Sequence, residues 1–156
     1  MTRYTRTTNE PTDDEIVVFL IGMRFNQPWR VDAWLPAFVA MPRMLAELSK
    51  DPDSGLLGYR LTFGGDGPVV IQYWRDRASL YAYAADTGRL HRPAWAAFNR
   101  RARRAPGAVG IWHETFVVAE FESIYGDMPP AGLATALGAR PIDAATEGGR
   151  RRLAAR

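Results

Sequence analysis

The sequence predicts a single α+β domain in which two helical regions cover one face of a four-stranded antiparallel sheet. Two observations predict this class. Strand-like apolar runs and helical periodicity follow one another in the order β-α-β-β-α-β, and the first and last strands are apolar at nearly every position. The 156 residues, 47% of them hydrophobic, are enough for one domain with a substantial core.

The first strand and the first helix follow an acidic N-terminal segment. Ile16–Phe25 (IVVFLIGMRF) is rich in β-branched and aromatic residues, as a strand buried on both faces would be. In residues 29–50 apolar side chains recur at spacings of three and four, which places them on one face of a helix. Pro36 and Pro42 are each expected to start, kink or split this helix, because proline lacks an amide donor and crowds the carbonyl four residues before it.

The later elements are separated by clear turn signals. GGDGP at 64–68 is typical of a hairpin, and Pro93 suits the first turn of a helix. The predicted elements are strands at 56–63, 69–75 and 108–118 and a helical region in two parts, 76–85 and 93–103. The complete order is that of the ferredoxin-like, split βαβ fold.

The chain is expected to form a homodimer. Because the first and last strands are apolar on both sides, the sheet face that the helices leave open must also be covered. A second copy of the chain is the most economical cover. The sequence therefore predicts a homodimer that associates through the open face of the sheet.

The sequence predicts three segments that differ in how well ordered they are. Residues 1–15 form a flexible lead, and residues 16–142 form the domain with an ordered C-terminal extension that packs over it or over its neighbour. Residues 143–156, which are rich in arginine and poor in apolar side chains, are expected to be disordered.

Composition excludes several classes of site. The sequence has no cysteine, so disulfides, thiolate catalysis and cysteine-bound metal centres are ruled out. It also lacks an apolar run of about 18 residues and a signal-like N-terminus, so we expect a cytoplasmic protein and no membrane partner. The net charge is +3, and its arginine clusters at 100–104 and 150–156 are interpreted as a helix end and a tail. Nucleic acid is therefore not expected as a partner.

Seven segments in this order resemble a bacterial and fungal family of monooxygenase-like proteins: VVFLIGMRFN, LPAFVAMPRMLAEL, SGLLGYR, VVIQYWR, HRPAWAAFNR, GAVGIWHETF and YGDMPPAGL. The resemblance covers about residues 16–142. This family is a branch of the dimeric α+β barrel superfamily. The superfamily includes antibiotic-biosynthesis monooxygenases, which oxidise polyketide-like aromatic substrates without metal or flavin, and haem proteins such as haem-degrading monooxygenases and aldoxime dehydratases.

The resemblance implies three alternative functions. The first is a small monooxygenase that acts on a hydrophobic metabolite, of the kind made in secondary metabolism, without a cofactor. The second is a haem b enzyme, an oxygenase or an aldoxime dehydratase, and no other metal is expected. The third is a non-catalytic dimer that binds a small molecule, because one fold hosts many functions.

His91 is the residue that the resemblance matches to a haem ligand. In haem-binding relatives the axial histidine comes from the second helical region, where His91 lies. His91, Trp95 and Asn99 would share one stripe toward the sheet if the helix already includes His91. The alternative is that His91 only caps or packs the start of this helix beside Pro93.

His113 and Glu114 are the candidates for a catalytic base. They lie on opposite faces of a very apolar strand, where a buried charge needs a partner. Each is therefore either a site residue or a paired structural group, and for Glu114 the alternative partner is Arg24 or Arg75. In the enzyme reading, Arg24 and Asn99 would stabilise an oxyanion formed from the substrate.

The remaining candidates would bind the substrate. Cofactor-free members of the superfamily use asparagine, tryptophan, tyrosine and arginine side chains for this purpose. The matching residues here are Asn26, Tyr73, Trp74 and Trp95. The alternative for the aromatic residues is a place in the core or in the dimer interface, which is the commoner fate of such side chains on strands.

Overall fold

The computed structural model describes residues 5–155. Residues 1–4 and Arg156, which belong to the expected lead and tail, lie outside the described residues. In chain order the elements are β1 (Thr7–Asn9), β2 (Ile16–Phe25), α1 (Val31–Lys50), a 3-10 turn (Pro52–Ser54), β3 (Leu56–Gly64), β4 (Gly67–Trp74), α2 (Arg77–Ala85), α3 (His91–Arg104), β5 (Val109–Val118), α4 (Leu133–Leu137), β6 (Ala139–Pro141) and α5 (Gly149–Ala154). None of the helices in residues 5–155 has the length and hydrophobicity that a bilayer span requires.

The main sheet is antiparallel and has the order β3-β4-β2-β5. Its centre is β2, which pairs with β5 over its whole length, from Ile16 opposite Val118 to Phe25 opposite Val109. On its other side β2 pairs with β4. With α1 between β2 and β3, and α2 and α3 between β4 and β5, the connectivity is β-α-β-β-α-β. The predicted ferredoxin-like α+β fold is confirmed.

The helices pack on one face of this sheet. The buried core cluster consists of Val17, Leu48, Trp74 and Leu80, with Phe19, Leu56 and Tyr83 packed against it. It joins β2, α1, β4 and α2. The apolar stripe predicted for the first helix therefore faces the sheet at Leu48, and Leu45 is buried as well.

The prolines of α1 lie inside a continuous helix. Pro36 and Pro42 are both interior to Val31–Lys50, so neither splits the helix, as the sequence had left open. An interior proline costs about 3 kcal/mol. Most helical stability in proteins comes from the packing of an apolar face, and the buried stripe of α1 supplies that packing.

Both ends of the chain are more regular than the sequence predicts. In the expected flexible lead, β1 pairs with β6 in a second, two-stranded sheet. In the expected disordered tail, α5 places the Arg152 side chain, only 7% exposed, against the carboxylate of Glu122 at 2.7 Å. The Arg152 guanidinium also donates to the carbonyls of Thr146 and Glu147. The tail is held by polar contacts, which an argument from apolar content does not detect.

The sheet face opposite the helices is only partly covered. We call it the open face, and on β2 and β5 it comprises Val18, Leu20, Trp112, Glu114 and Phe116. The C-terminal extension covers the β3 side, where α4 packs on β3 and Ala136 lies beside Gly58. On the β5 side, Trp112 and Phe116 remain 38% and 48% exposed. Large apolar side chains on an uncovered sheet face are typical of an interface.

The open face leads us to expect a dimer. Light scattering at micromolar concentration should give about twice the chain mass of 17.4 kDa. Phe116→Glu should shift the mass toward that of one chain, because it would bury a second carboxylate next to Glu114 in the interface. The control is Tyr81→Glu on α2, where Tyr81 is 59% exposed and lies away from the sheet. A wild-type chain that stays monomeric, or a Phe116→Glu variant that stays dimeric, would contradict this expectation.

The contacts of α5 lead us to expect that the tail stabilises the domain. Truncation after Ile142 should lower Tm, and Arg152→Ala should account for much of the loss because it leaves Glu122 without this ion pair. A loss of about 1 kcal/mol corresponds to about 2–4 °C in a domain of this size. Arg150→Ala, at an exposed position of the same helix, is the matched control. Thermal melts that overlay for the wild type and the truncated chain would instead support a loose tail.

Candidate functional site

A cavity of about 250 Å³ lies between α1, α3 and the helix-covered face of the sheet. Its walls come from six elements, and the small side chains of Ala37, Ala40 and Ala94 leave the space open where the two helices approach each other. The lining residues are Ile21, Gly22, Met23, Ala37, Phe38, Ala40, Met41, Pro42, Met44, Leu45, Tyr59, Leu61, Pro68, Val70, His91, Ala94, Trp95, Phe98 and Ile111.

The cavity is apolar with few polar groups. Among the residues that line it, only Tyr59, His91 and Trp95 have a nitrogen or oxygen atom in the side chain. Tyr59 and Trp95 are 43% and 46% exposed, so they mark the opening to solvent. An apolar pocket with a small number of polar groups is the usual form of a small-molecule site.

Helix α3 brings His91 and Trp95 into the cavity together. It begins at His91, and residues at i, i+3, i+4 and i+7 share one helix face. His91, Ala94, Trp95 and Phe98 follow this spacing and all line the cavity. The rings of Trp95 and Phe98 are stacked, with centroids 5.5 Å apart. This stack forms a flat aromatic wall beside the histidine.

The ring of His91 has a defined orientation. Its Nδ1 lies 3.1 Å from the carbonyl oxygen of Ala84. A carbonyl can only accept a hydrogen bond, so Nδ1 carries the proton and donates it. In the neutral ring Nε2 then holds the free lone pair. His91 is therefore prepared to accept a proton or to bind a metal through Nε2.

Two carboxylates at the C-terminal end of α1, those of Glu47 and Asp51, bind residues that precede His91. The hydroxyl of Tyr83 donates to Glu47 at 3.0 Å, and burial together with this carboxylate raises the pKa of Tyr83 far above its usual value. Arg89 donates to Asp51, and this guanidinium lowers the pKa of the Asp51 carboxyl group. Tyr83 therefore stays protonated and Asp51 stays charged at neutral pH.

One wall of the cavity contains an interrupted helical hydrogen bond. Pro42 has no amide hydrogen, so it cannot donate to the carbonyl of Phe38 four residues earlier. Both residues line the cavity. The backbone of α1 therefore offers an acceptor there that does not receive its usual helical donor.

Of the predicted site residues, His91 and Trp95 line the cavity and the others do not. The stripe that the sequence predicted included Asn99, but Phe98 occupies the cavity-facing position instead. His113 lies on the helix-covered face of the sheet, where its ring contacts Phe19 at 5.5 Å. It is exposed and does not reach the cavity lining.

Three further candidates lie away from the cavity. Glu114 is on the open face, as its pairing with Leu20 shows. Arg24 is on the same face, near the β3–β4 turn, and its guanidinium lies 3.7 Å from the carboxylate of Asp66. Asn26 is exposed just after β2. The proposed catalytic group of His113, Glu114, Arg24 and Asn99 is therefore not brought together within one chain.

The two neighbouring aromatic residues of β4 are buried on opposite faces. Trp74 is 1% exposed in the core, and its indole nitrogen donates to the side chain of Gln72 at 2.8 Å. Tyr73 lies under the C-terminal extension, with its hydroxyl close to Gly132. Burial raises the pKa of Tyr73. Neither residue lines the cavity.

The sequence reasoning missed Tyr59 and the methionines of the lining. Met41 and Met44 stand three residues apart on α1, and Met23 faces them from β2. Methionine side chains adapt to irregular apolar surfaces. The spacing of Met41 and Met44 was a usable signal, whereas nothing in the sequence around Tyr59 distinguishes it from an ordinary strand tyrosine.

Two kinds of comparison find similar proteins. Monooxygenase af470 of Aspergillus fumigatus is 29% identical over 133 residues, which are 78% of this chain and 46% of that protein. The chain thus spans about half the length of this relative. SnoaB, a cofactor-independent oxygenase from Streptomyces nogalater, matches 67% of this chain and 93% of its own at 18% identity, with a TM-score of 0.47. A dimeric ferredoxin-like protein of unknown function from Thermobifida fusca matches 70% of this chain and 97% of its own at 16% identity, with a TM-score of 0.47.

A family model matches residues 16–133. This range starts at the first residue of β2 and ends at the first residue of α4, so it contains the whole main sheet, the three helices α1 to α3 and every residue of the cavity lining. The chain therefore belongs to the Monooxygenase af470-like family.

Proposed function

We propose that this protein is a small monooxygenase that binds a hydrophobic, enolisable or phenolic metabolite in the cavity, with His91 as the base that takes a proton from it. The observation that carries the proposal is the single histidine, held in one tautomer by Ala84, in an otherwise apolar lining. Membership of the Monooxygenase af470-like family supports the reaction class.

The proposed chemistry needs a base and no external reductant. With its proton on Nδ1, the neutral ring of His91 has a lone pair on Nε2 that can accept a proton from the substrate. Loss of an acidic C–H or O–H proton makes the substrate electron-rich enough to react with dioxygen. When a CH₂ group becomes C=O, one oxygen atom enters the product and the other leaves as water. The substrate thus supplies all four electrons.

The cavity also offers groups that can stabilise the substrate anion. The indole N–H of Trp95 and the hydroxyl of Tyr59 are hydrogen-bond donors in the lining. From the opening of the cavity, both can donate a hydrogen bond to a negatively charged oxygen of the bound substrate.

In this proposal the base is His91, and not His113 or Glu114 as the sequence led us to expect. His113 is exposed beside Phe19, and Glu114 lies on the far side of the sheet from the cavity. A base must come within hydrogen-bond reach of the proton it removes. Of the three residues, only His91 lines the cavity.

Haem binding is a second candidate function, because His91 also has the features of an axial ligand. Metal-binding histidines usually donate their other ring nitrogen to a carbonyl, as Nδ1 of His91 does to Ala84. The rest of the cavity does not fit haem. Its lining has no lysine or arginine to pair with the two propionates. We therefore assign no step to haem.

The proposal can be tested with the two histidines as a matched pair. His91→Gln should lower turnover by about 10²- to 10⁴-fold, the usual range for a general base, whereas His113→Gln should keep it. The assay is oxygen consumption with a panel of enolisable and phenolic aromatic ketones. Quenching of tryptophan fluorescence should show that both variants still bind the compound that the wild type turns over.

Other results would favour the alternatives. A Soret band that forms when hemin is added to the wild type, and that His91→Gln abolishes, would favour the haem enzyme. Tight binding of a compound without oxygen consumption would favour a non-catalytic binding protein. Full activity of His91→Gln would contradict the proposed base.

A further inference from the structure

The helix that carries His91 begins without a cap of its own. The residue before it, Leu90, makes no side-chain capping hydrogen bond, and the first turn of α3 contains no acidic residue. The first amide groups of a helix have no partner within the helix and must find acceptors elsewhere. The start of α3 therefore depends on a group from another part of the chain.

Glu47 of α1 supplies this acceptor. One carboxylate oxygen, Oε2, accepts from the backbone amide of Leu90 at 3.2 Å and from the hydroxyl of Tyr83 at 3.0 Å. Glu47 precedes Leu90 by 43 residues, so the contact joins α1 to the start of α3. A carboxylate at a helix N-terminus satisfies the free amides and is stabilised by the helix dipole.

These contacts surround His91 on both sides. The residue before His91 is bound to Glu47, and the ring of His91 is bound to Ala84 in the last turn of α2. Tyr83, the second partner of Glu47, packs its ring 6.0 Å from the imidazole. Glu47 therefore holds both the backbone at the start of α3 and the aromatic ring against which His91 packs.

A second carboxylate offers an internal comparison. Asp51 lies four residues after Glu47, directly after the last residue of α1, and binds Arg89 in the same loop. This ion pair also ties the loop to α1. The structure records no hydrogen bond or ring contact from Asp51 or Arg89 to His91 or to Tyr83 within residues 5–155. Asp51 thus shares the location and charge of Glu47 without the contacts that reach the histidine.

We propose that Glu47 is a positioning residue for His91, which it holds in the orientation that presents Nε2 to the cavity. The inference rests on the proposed role of His91 in catalysis. It assigns to Glu47 no contact with the substrate. Its action runs through the start of α3 and through Tyr83.

The test is the tautomer of His91, read from long-range ¹H–¹⁵N correlations of the imidazole at a pH where the ring is neutral. The chain has two histidines, so the His113→Gln variant assigns the signals. The wild type should show His91 protonated at Nδ1. Glu47→Ala should shift the ring largely to the Nε2-protonated form, because the ring is no longer held against Ala84. Glu47→Gln, which keeps an acceptor oxygen for the amide of Leu90, should restore the Nδ1-protonated form.

Asp51→Asn is the control and should keep the wild-type tautomer, even if it lowers Tm as much as Glu47→Ala does. Should Glu47→Ala fail to fold, Glu47→Ser, whose side chain is too short to reach Leu90, takes its place. An unchanged tautomer in Glu47→Ala, or in Glu47→Ser where that variant replaces it, overturns the proposal. An equal change in Asp51→Asn also overturns it, because the effect would then be a general loosening of the loop.

Turnover separates this inference from the function on which it rests. Glu47→Ala should lower kcat by about 10- to 100-fold, the scale expected when a catalytic group is displaced. If the tautomer shifts as expected while His91→Gln keeps full turnover, the proposed base is wrong and the positioning role of Glu47 stands. If His91→Gln loses turnover and the tautomer does not respond to Glu47, only the inference about Glu47 fails.

Discussion

The rest of the structure depends on the register of β2. This strand pairs with β5 over ten residues and with β4 over six, and alternate residues of a strand point to opposite faces. The register therefore decides that Ile21 and Met23 reach the cavity while Leu20 reaches the open face. A shift by one residue would exchange the two sets. The proposed ligand cavity and the sheet face expected to pair with a second subunit thus lie on opposite sides of a single strand.

The second constraint is the distance between helices α1 and α3 where they pack on the sheet. Leu45 and Leu48 bring the C-terminal half of α1 down onto the core, while alanines at the facing positions of the two helices leave room above the sheet. Glu47 and Asp51 bind Tyr83, Arg89 and Leu90 and so keep the end of α1 beside the α2–α3 segment. None of these side chains lines the cavity. The space of the cavity is therefore set by the packing of α1 and α3, and the ring of His91 is oriented by Ala84 of α2, which does not line the cavity.

Sequence patterns were sufficient for the four strands of the main sheet and for helices α1 to α3, but not for the short elements at the chain ends or for the site. The apolar run of β2 predicted its bounds to the residue, and the spacing of His91 and Trp95 predicted that they share a helix face. The choice between His91 and His113 was beyond such reasoning, because both lie on the helix-covered side and only the path of α1 and α3 decides which one is enclosed. The order of the tail was missed for a different reason. Ion pairs such as Arg152 with Glu122 have no sequence period.

Gly22 has a consequence for how sequences of this family can vary. A Cβ atom at this position would lie 2.3 Å from the indole ring of Trp112, which crosses β2 at that point on the open face. No side chain, not even alanine, fits while the indole stays there. A chain that carries a larger residue at position 22 must therefore carry a smaller or differently placed one at position 112, whereas position 112 can become smaller while glycine stays at position 22. The shape of the open face at this point is in this way set by two residues that lie 90 positions apart in the sequence.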